Sequence, residues 1–202
     1  GNKVLFLYLV SIATAVATEF IVKLFRRKDK RSITDGSAVI TGLLLVMVVP
    51  PDLSPVFVAL GASVAIFIGK EVFGGLGANV FNPALVGRAF LSASYPVQMT
   101  TYSQPAVLFS LAGGADAASG ATPLAAARFE GVVTPLKALL LGQIGGSIGE
   151  TCALLIIIGG LVLIGLKIVD WRLVGAYLGT VFLFSGLFYL IDPSSYSPPL
   201  FH

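Results

Sequence analysis

Val4-Leu5-Phe6-Leu7-Tyr8-Leu9-Val10-Ser11-Ile12-Ala13-Thr14-Ala15-Val16-Ala17-Thr18-Glu19-Phe20-Ile21-Val22-Lys23-Leu24-Phe25 runs straight into Arg26-Arg27-Lys28-Asp29-Lys30-Arg31. The first stretch exceeds the roughly 18 apolar residues needed to cross a bilayer as a helix. It is too long for the apolar core of a cleavable signal peptide, and its basic cluster follows it instead of preceding it. A basic run abutting a span marks the cytoplasmic end. A nucleic-acid patch would also be basic, but the position beside a span favours a topology determinant. Composition agrees: 56% of residues are hydrophobic and only 11% charged, and the mean hydropathy is +0.93. A soluble domain carries about a quarter charged residues. The chain therefore reads as an all-α, polytopic membrane protein forming one transmembrane domain over 1–202.

The following segments alternate between spans and breaks. Thr34-Asp35-Gly36-Ser37 opens an apolar run that ends at Pro50-Pro51, and Asp35 suits a helix N-cap. A second run, Leu53–Gly69, leads to Lys70-Glu71. Phe73-Gly74-Gly75-Leu76-Gly77-Ala78-Asn79-Val80-Phe81-Asn82-Pro83 is irregular yet flanked by apolar helices. Such backbone is tolerated at membrane depth only where protein or a lined cavity satisfies it. Pro83 suits the first turn of the next helix, with Asn82 as its cap; that helix, Ala84–Tyr95, contains Arg88. Residues 96–135 form a long polar segment, expected on the extracytoplasmic side. Leu136–Gly149 reads as a half-helix breaking at Gly145-Gly146-Ser147-Ile148-Gly149. Glu150–Leu166 and Leu173–Ile191 read as the last two spans, joined near the basic Lys167 and Arg172. The order of polar start, apolar run, break and apolar run occurs twice with opposite sense. That pattern suggests an inverted repeat with broken helices, the arrangement by which many transporters build a midplane site.

Chemistry is narrowed by what the chain lacks. One cysteine, Cys152, and one histidine, His202, exclude an intrachain disulfide and a cysteine- or histidine-based metal cluster within this chain. No metal site and no catalytic residue is assigned. Electrons carried here require an organic cofactor. Within the polar segment, Asp116-Ala117-Ala118-Ser119-Gly120-Ala121-Thr122 matches D-x-x-[ST]-G-A-[ST], the pattern at which flavin transferases join FMN to a threonine or serine hydroxyl through its phosphate. Asp, Ser and Gly are also ordinary turn residues. Read as an attachment site, Thr122 is the anchor. Gly120 and Ala121 leave room for the phosphate, and Ser119 can donate to it.

Ionisable groups inside spans are functional by default. Arg88 suits neutralising a flavin phosphate or a reduced flavin; the alternative is pairing with Glu71 or helix-end carbonyls. Glu19, Asp35, Glu71 and Glu150 are ion-path candidates. For Asp35 and Glu150 the alternative is helix N-capping, where the dipole favours negative charge. Gly74, Gly75 and Gly77 lack the βαβ context of a dinucleotide fingerprint.

Lys70-Glu71-Val72-Phe73-Gly74-Gly75-Leu76-Gly77, with Asn79 and Phe81-Asn82-Pro83-Ala84-Leu85-Val86-Gly87-Arg88-Ala89-Phe90, resembles the D subunit of the Rnf complex. It is similar, less closely, to the B subunit of the sodium-pumping NADH:quinone oxidoreductase. Asp35-Gly36-Ser37, Ser119-Gly120-Ala121-Thr122-Pro123-Leu124 and Gly146-Ser147-Ile148-Gly149-Glu150-Thr151 carry the same resemblance. Gln98-Met99-Thr100-Thr101-Tyr102 favours the Rnf protein of the two. The resemblance implies covalent FMN on Thr122, within a complex that couples ferredoxin and NAD redox chemistry to Na+ or H+ translocation. It further implies a non-covalent riboflavin near Asn79 and Asn82, although half-helix capping explains Asn82 as well. Expected partners are other Rnf-type subunits (a flavin-bearing extracytoplasmic one and Fe–S subunits), a flavin transferase for maturation and the lipid bilayer, with no nucleic acid. The expected location is a bacterial or archaeal cytoplasmic membrane. Family members extend beyond both ends, so the chain is expected to be a truncated piece. A transporter or channel without flavin is the rival from another class, since Asn82-Pro83-Ala84 resembles a water-channel triplet. A cofactor-free scaffold is a third.

Overall fold

The computed structural model describes residues 2–26, 35–103, 119–120, 122–131, 134–150, 152–193, 196 and 198. They form an all-α membrane protein with nine described α-helices and two π-helical turns. Its extended structure, among the described residues, is confined to two two-residue segments, Tyr102–Ser103 and Ser119–Gly120. The chain divides into two compact units.

The first unit comprises residues 1–103 and 146–150. Helix α1 (Asn2–Phe25) packs against α2 (Ser37–Met47) and α3 (Pro55–Ile66), and α3 packs against α4 (Pro83–Ser94). A five-residue helix, α5 (Pro96–Thr100), follows. The core is apolar, built from Leu7, Leu45, Val46, Val58, Ile66 and Leu91 among others. Around it, Leu5, Phe6, Leu9, Val56 and many other large apolar side chains face outward, while Ser11, Glu19, Lys23, Lys70 and Glu71 are buried. Hydrocarbon surroundings explain the outward set, since lipid tails solvate leucine as well as a core does. The inward polar set then needs partners within the protein.

Small residues bring these helices close. Ser11 Oγ on α1 donates to the Gly42 carbonyl of α2 at 2.9 Å. A Cβ on Gly87 of α4 would lie 2.6 Å from the Gly61 carbonyl oxygen of α3, so the α3–α4 crossing requires glycine there. Helix α3 runs on into a π-helical turn, Phe67–Glu71, and then stops. The Gly74 and Gly75 amides return to the carbonyls of Glu71 and Lys70, each at 3.1 Å. Their φ angles of 120° and 109° lie where side-chain-bearing residues are strained. This glycine turn closes the π-helical end and redirects the chain to Asn82, whose Oδ1 accepts the Ala84 N–H at 3.0 Å ahead of Pro83–Ser94.

The Gly146–Glu150 segment belongs to this first unit. Its Ile148 and Gly149 amides donate to the carbonyls of Val49 (3.2 Å) and Met47 (2.8 Å) at the end of α2. A Cβ on Gly149 would sit 2.8 Å from Met47 Cβ. Glycine at 149 is therefore what allows the strap to reach the Met47 carbonyl that α2 leaves unpaired.

The second unit comprises residues 104–145 and 151–202. Its described helices are α6 (Pro123–Ala125), continued by a π-helical turn Ala126–Glu130, then α7 (Leu136–Leu141), α8 (Ala153–Gly165) and α9 (Trp171–Ile191). Helix α7 ends at Gly142, in the left-handed conformation. The expected half-helix to Gly149 is thus shorter, because Gly142 ends the turn before the glycine pair is reached. Helices α1 and α9 are long and apolar enough to cross a membrane. Helix α8, at 13 residues, spans about 20 Å at 1.5 Å per residue, short of a hydrocarbon core of about 30 Å. Helix, link and helix recur in each unit, as α2–α3 and α8–α9.

Candidate functional site

Two groups of polar side chains lie in the first unit, and the expected attachment residue lies in the second. The larger group sits where α1 ends against the start of α2 and the π-helical turn. Glu19 and Lys23 are one helical turn apart on α1, which places both on one face. Glu19 Oε1 accepts from Lys23 Nζ and from Lys70 Nζ, the latter at 2.9 Å. Lys70 also donates to Ser37 Oγ at 2.5 Å. Glu19, Lys23, Lys70 and Glu71 are all under 5% exposed. Arg26 donates to the Glu71 backbone carbonyl. The Glu19 Oε2 atom and both carboxylate oxygens of Glu71 are buried without a hydrogen-bond partner.

Asp35 stands at the rim of this group. Its Oδ1 accepts the Ser37 amide at 2.8 Å and the Ser37 hydroxyl. The residue at the helix boundary is Gly36, with φ 75° and no side chain to cap with. Asp35 is thus not the N-cap; from one position upstream it holds the first helical amide, that of Ser37. Burial alone would raise the Asp35 carboxyl's pKa. The Ser37 hydrogen bonds, with the Lys70 and Lys23 ammoniums nearby, hold it below the ordinary value instead.

The second group is an ion pair. Arg88 Nη1 on α4 lies 3.0 Å from Glu150 Oε1, with both side chains partly exposed. The expected alternative partner of Arg88, Glu71, is not the one it has; the 146–150 strap delivers Glu150 instead. The expected capping by Glu150 is likewise corrected. Helix α8 begins after Cys152 with no side-chain cap, and Glu150 is held by Arg88. Asn79 and Asn82 serve local turns. Asn79 Oδ1 accepts the Gly77 amide at 3.1 Å, its Nδ2 donates to the Phe81 carbonyl at 2.9 Å, and Asn82 caps α4.

In the second unit Thr122 stands immediately before α6, half-buried, with extended backbone. Its Oγ1 accepts the Ala125 N–H at 3.4 Å, so Thr122 caps this turn. Ser119 and Gly120 form an extended segment. Asp116 and Ala121 lie outside the described residues. The half-buried hydroxyl on extended backbone fits a phosphoester tether.

The residues that reasoning from pattern missed are Lys23, Lys70 and Ser37 as partners of the buried carboxylates. The signals were present: Lys23 is four residues after Glu19, and Lys70-Glu71 interrupts an apolar run.

A model of the NQR2, RnfD, RnfE family matches residues 1–202. The chain is 42% identical over its whole length to the D subunit of the proton-translocating ferredoxin:NAD(+) oxidoreductase complex of Clostridium ljungdahlii, of which it covers 62%. It is 38% identical over its whole length to the D subunit of the ion-translocating oxidoreductase complex of Stutzerimonas stutzeri, covering 64% of that protein. Over 93% of its length it is 42% identical to the B subunit of the Na(+)-translocating NADH-quinone reductase of S. stutzeri strain A1501, covering 46% of it. The chain thus spans less than two thirds of the length of these relatives.

Proposed function

Because the chain belongs to the NQR2, RnfD, RnfE family, we propose that it is the membrane core of an Rnf-type D subunit. In this reading it carries electrons within a complex that couples ferredoxin and NAD redox chemistry to translocation of H+ or Na+. FMN is joined through its phosphate to Thr122. The observation that carries the reading is the half-buried Thr122 hydroxyl at the start of α6, within Ser119-Gly120-Ala121-Thr122. It is supported by 42% identity over the whole chain to a D subunit of a ferredoxin:NAD(+) oxidoreductase complex.

The attached flavin would supply one- and two-electron redox chemistry, and the protein sets its position and potential. Thr122 acts as a nucleophile only during attachment, when the transferase forms the phosphoester; afterwards it is a tether. The tether removes a binding equilibrium and so raises the local concentration of the carrier. Glycine at 120 keeps side-chain bulk away from the phosphate. Ser119 and Asp116 complete the motif that the transferase reads. Arg88 offers a cation whose charge Glu150 partly balances, suited to a flavin phosphate or a reduced flavin. A non-covalent riboflavin would meet Asn79 and Asn82 at the glycine turn, where the Asn82 amide nitrogen remains to donate. Other Rnf-type subunits, including flavin-bearing and Fe–S subunits, complete the electron path, and a flavin transferase matures the protein. The location is a bacterial or archaeal cytoplasmic membrane. The second reading, the B subunit of a sodium-pumping NADH:quinone reductase, rests on equal identity over a slightly shorter alignment.

The test is intact mass and in-gel flavin fluorescence after denaturation, in cells with and without the transferase. An FMN-sized gain that disappears in Thr122→Ala is expected. No adduct on correctly inserted wild-type protein, with an active transferase present, overturns the flavin reading in favour of a scaffold or transporter.

A further inference from the structure

The buried charges at the end of α1 are distributed unevenly. A single carboxylate oxygen, Glu19 Oε1, takes both lysine ammoniums. Glu71 lies next to Lys70 in sequence, is 1% exposed, and has neither carboxylate oxygen hydrogen-bonded. An ionised carboxylate in water-excluding surroundings is costly unless paired and hydrogen-bonded. Among the described residues, every charged group on the elements packed around Glu71 is otherwise engaged. From α1, Lys23 is on Glu19 and Arg26 is on the Glu71 backbone carbonyl. At the start of α2, Asp35 is on Ser37. On its own turn, Lys70 is on Glu19 and Ser37. On α4, Arg88 is on Glu150.

We propose that the Glu71 carboxyl is the loading position for an exchangeable monovalent cation, a proton or a sodium ion, with Lys23–Glu19–Lys70 as its immobile neighbour. This deepens the ion-coupling reading and rests on it for its purpose. The four candidate carboxylates are thereby sorted. Glu19 is locked by two lysines, Asp35 by Ser37, and Glu150 by Arg88. Glu71 alone of the four has both oxygens open. One oxygen of this carboxyl lies beside the glycine turn: a Cβ on Gly75 would lie 3.9 Å from Glu71 Oε1. Monovalence follows from the donor set. A divalent ion calls for six to eight oxygen ligands or several carboxylates, and no group of three or more His, Cys, Asp or Glu surrounds a common point among the described residues. One carboxylate balances one positive charge. The two ammoniums beside it share the single Glu19 carboxylate, so this neighbouring cluster carries a net positive charge.

The experiment is carbodiimide labelling of the full-length protein in its complex, in native membranes, with modified residues mapped by mass spectrometry. A protonated carboxyl adds across the carbodiimide C=N bond, and the O-acylisourea formed rearranges to a stable N-acylurea. Glu71 is expected to label. Glu19 is expected to stay unlabelled, and Glu71→Gln to remove the adduct. Protection by NaCl but not by equimolar KCl identifies sodium as the competing ion; pH dependence without salt protection identifies the proton. Either result supports the proposal. Failure of Glu71 to label at any pH, while another carboxyl in the same sample does, overturns it, as does equal labelling of Glu19. The FMN mass on Thr122 is read from the same digest, so failure of the flavin reading and failure of this one are separately visible.

Discussion

Replacing Glu19 by glutamine keeps the shape of the side chain and removes the charge that holds two buried ammoniums. Lys23 and Lys70 both donate to Glu19 Oε1, and they are 4% and 1% exposed. Removing one partner of a buried ion pair costs about 3–5 kcal/mol because the other charge is left uncompensated. Here two ammoniums are left behind. The upper part of that range is expected, raising the unfolded fraction by about a thousandfold at 1.4 kcal/mol per decade. Lys70→Met should cost less, about 1–3 kcal/mol, since Glu19 keeps Lys23 while Ser37 loses its donor. The double variant removes one of the two stranded ammoniums, so it should be more stable than the sum of the single effects by about 1–2 kcal/mol. The assay is SDS titration of the purified full-length protein, alongside thermal loss of the monodisperse peak on size-exclusion chromatography. A Glu19→Gln cost under about 1 kcal/mol, or strictly additive double-variant behaviour, would refute the idea that this carboxylate anchors both lysines.

Gly87→Ala drives a Cβ to within 2.6 Å of the Gly61 carbonyl oxygen, a backbone clash that cannot be relieved by a rotamer. Overpacking costs of about 1–3 kcal/mol are expected, read as a lowered unfolding midpoint. Asn82→Ala should cost about 1 kcal/mol through loss of the α4 cap, while Asn82→Asp retains it; thermal melts of the two variants separate the cases. Asp35 has a folded-state pKa below its unfolded value. Its contribution to stability is therefore present above the unfolded value near 4 and is lost as pH falls through the folded one. Asp35→Ala should lower stability at neutral pH and flatten the acid limb of the stability–pH profile; an unchanged acid limb would show that other carboxylates govern it.

Some of the local geometry around the candidate residues was readable without coordinates. The Asn82–Pro83 start of α4 needed only the capping preference and the fixed φ of proline, both local. Thr122 was marked by a contiguous motif. Arg88 was singled out as a charge inside an apolar helix, yet its partner was not identifiable. Glu150 lies 62 residues away and reaches it only because Gly149 lets the strap pass close over Met47. The capping expected of Glu150 failed for the same reason: that tertiary contact outcompetes the next helix for the carboxylate.

What the sequence determined by itself is the solvent this protein folds in and the approximate places of its breaks. Apolar runs, a basic cluster and glycine–proline breaks act over a few residues, and hydropathy needs no knowledge of packing. Which of the buried carboxylates is satisfied was decided by tertiary structure alone. Glu19, Lys23 and Lys70 come together from positions up to 51 residues apart, and Lys70 turns toward Glu19 and Ser37 instead of its sequence neighbour Glu71. The π-helical turn Phe67–Glu71 sets those side-chain directions. That geometry depends on α1 packing against the turn, and no spacing rule within a single segment encodes it.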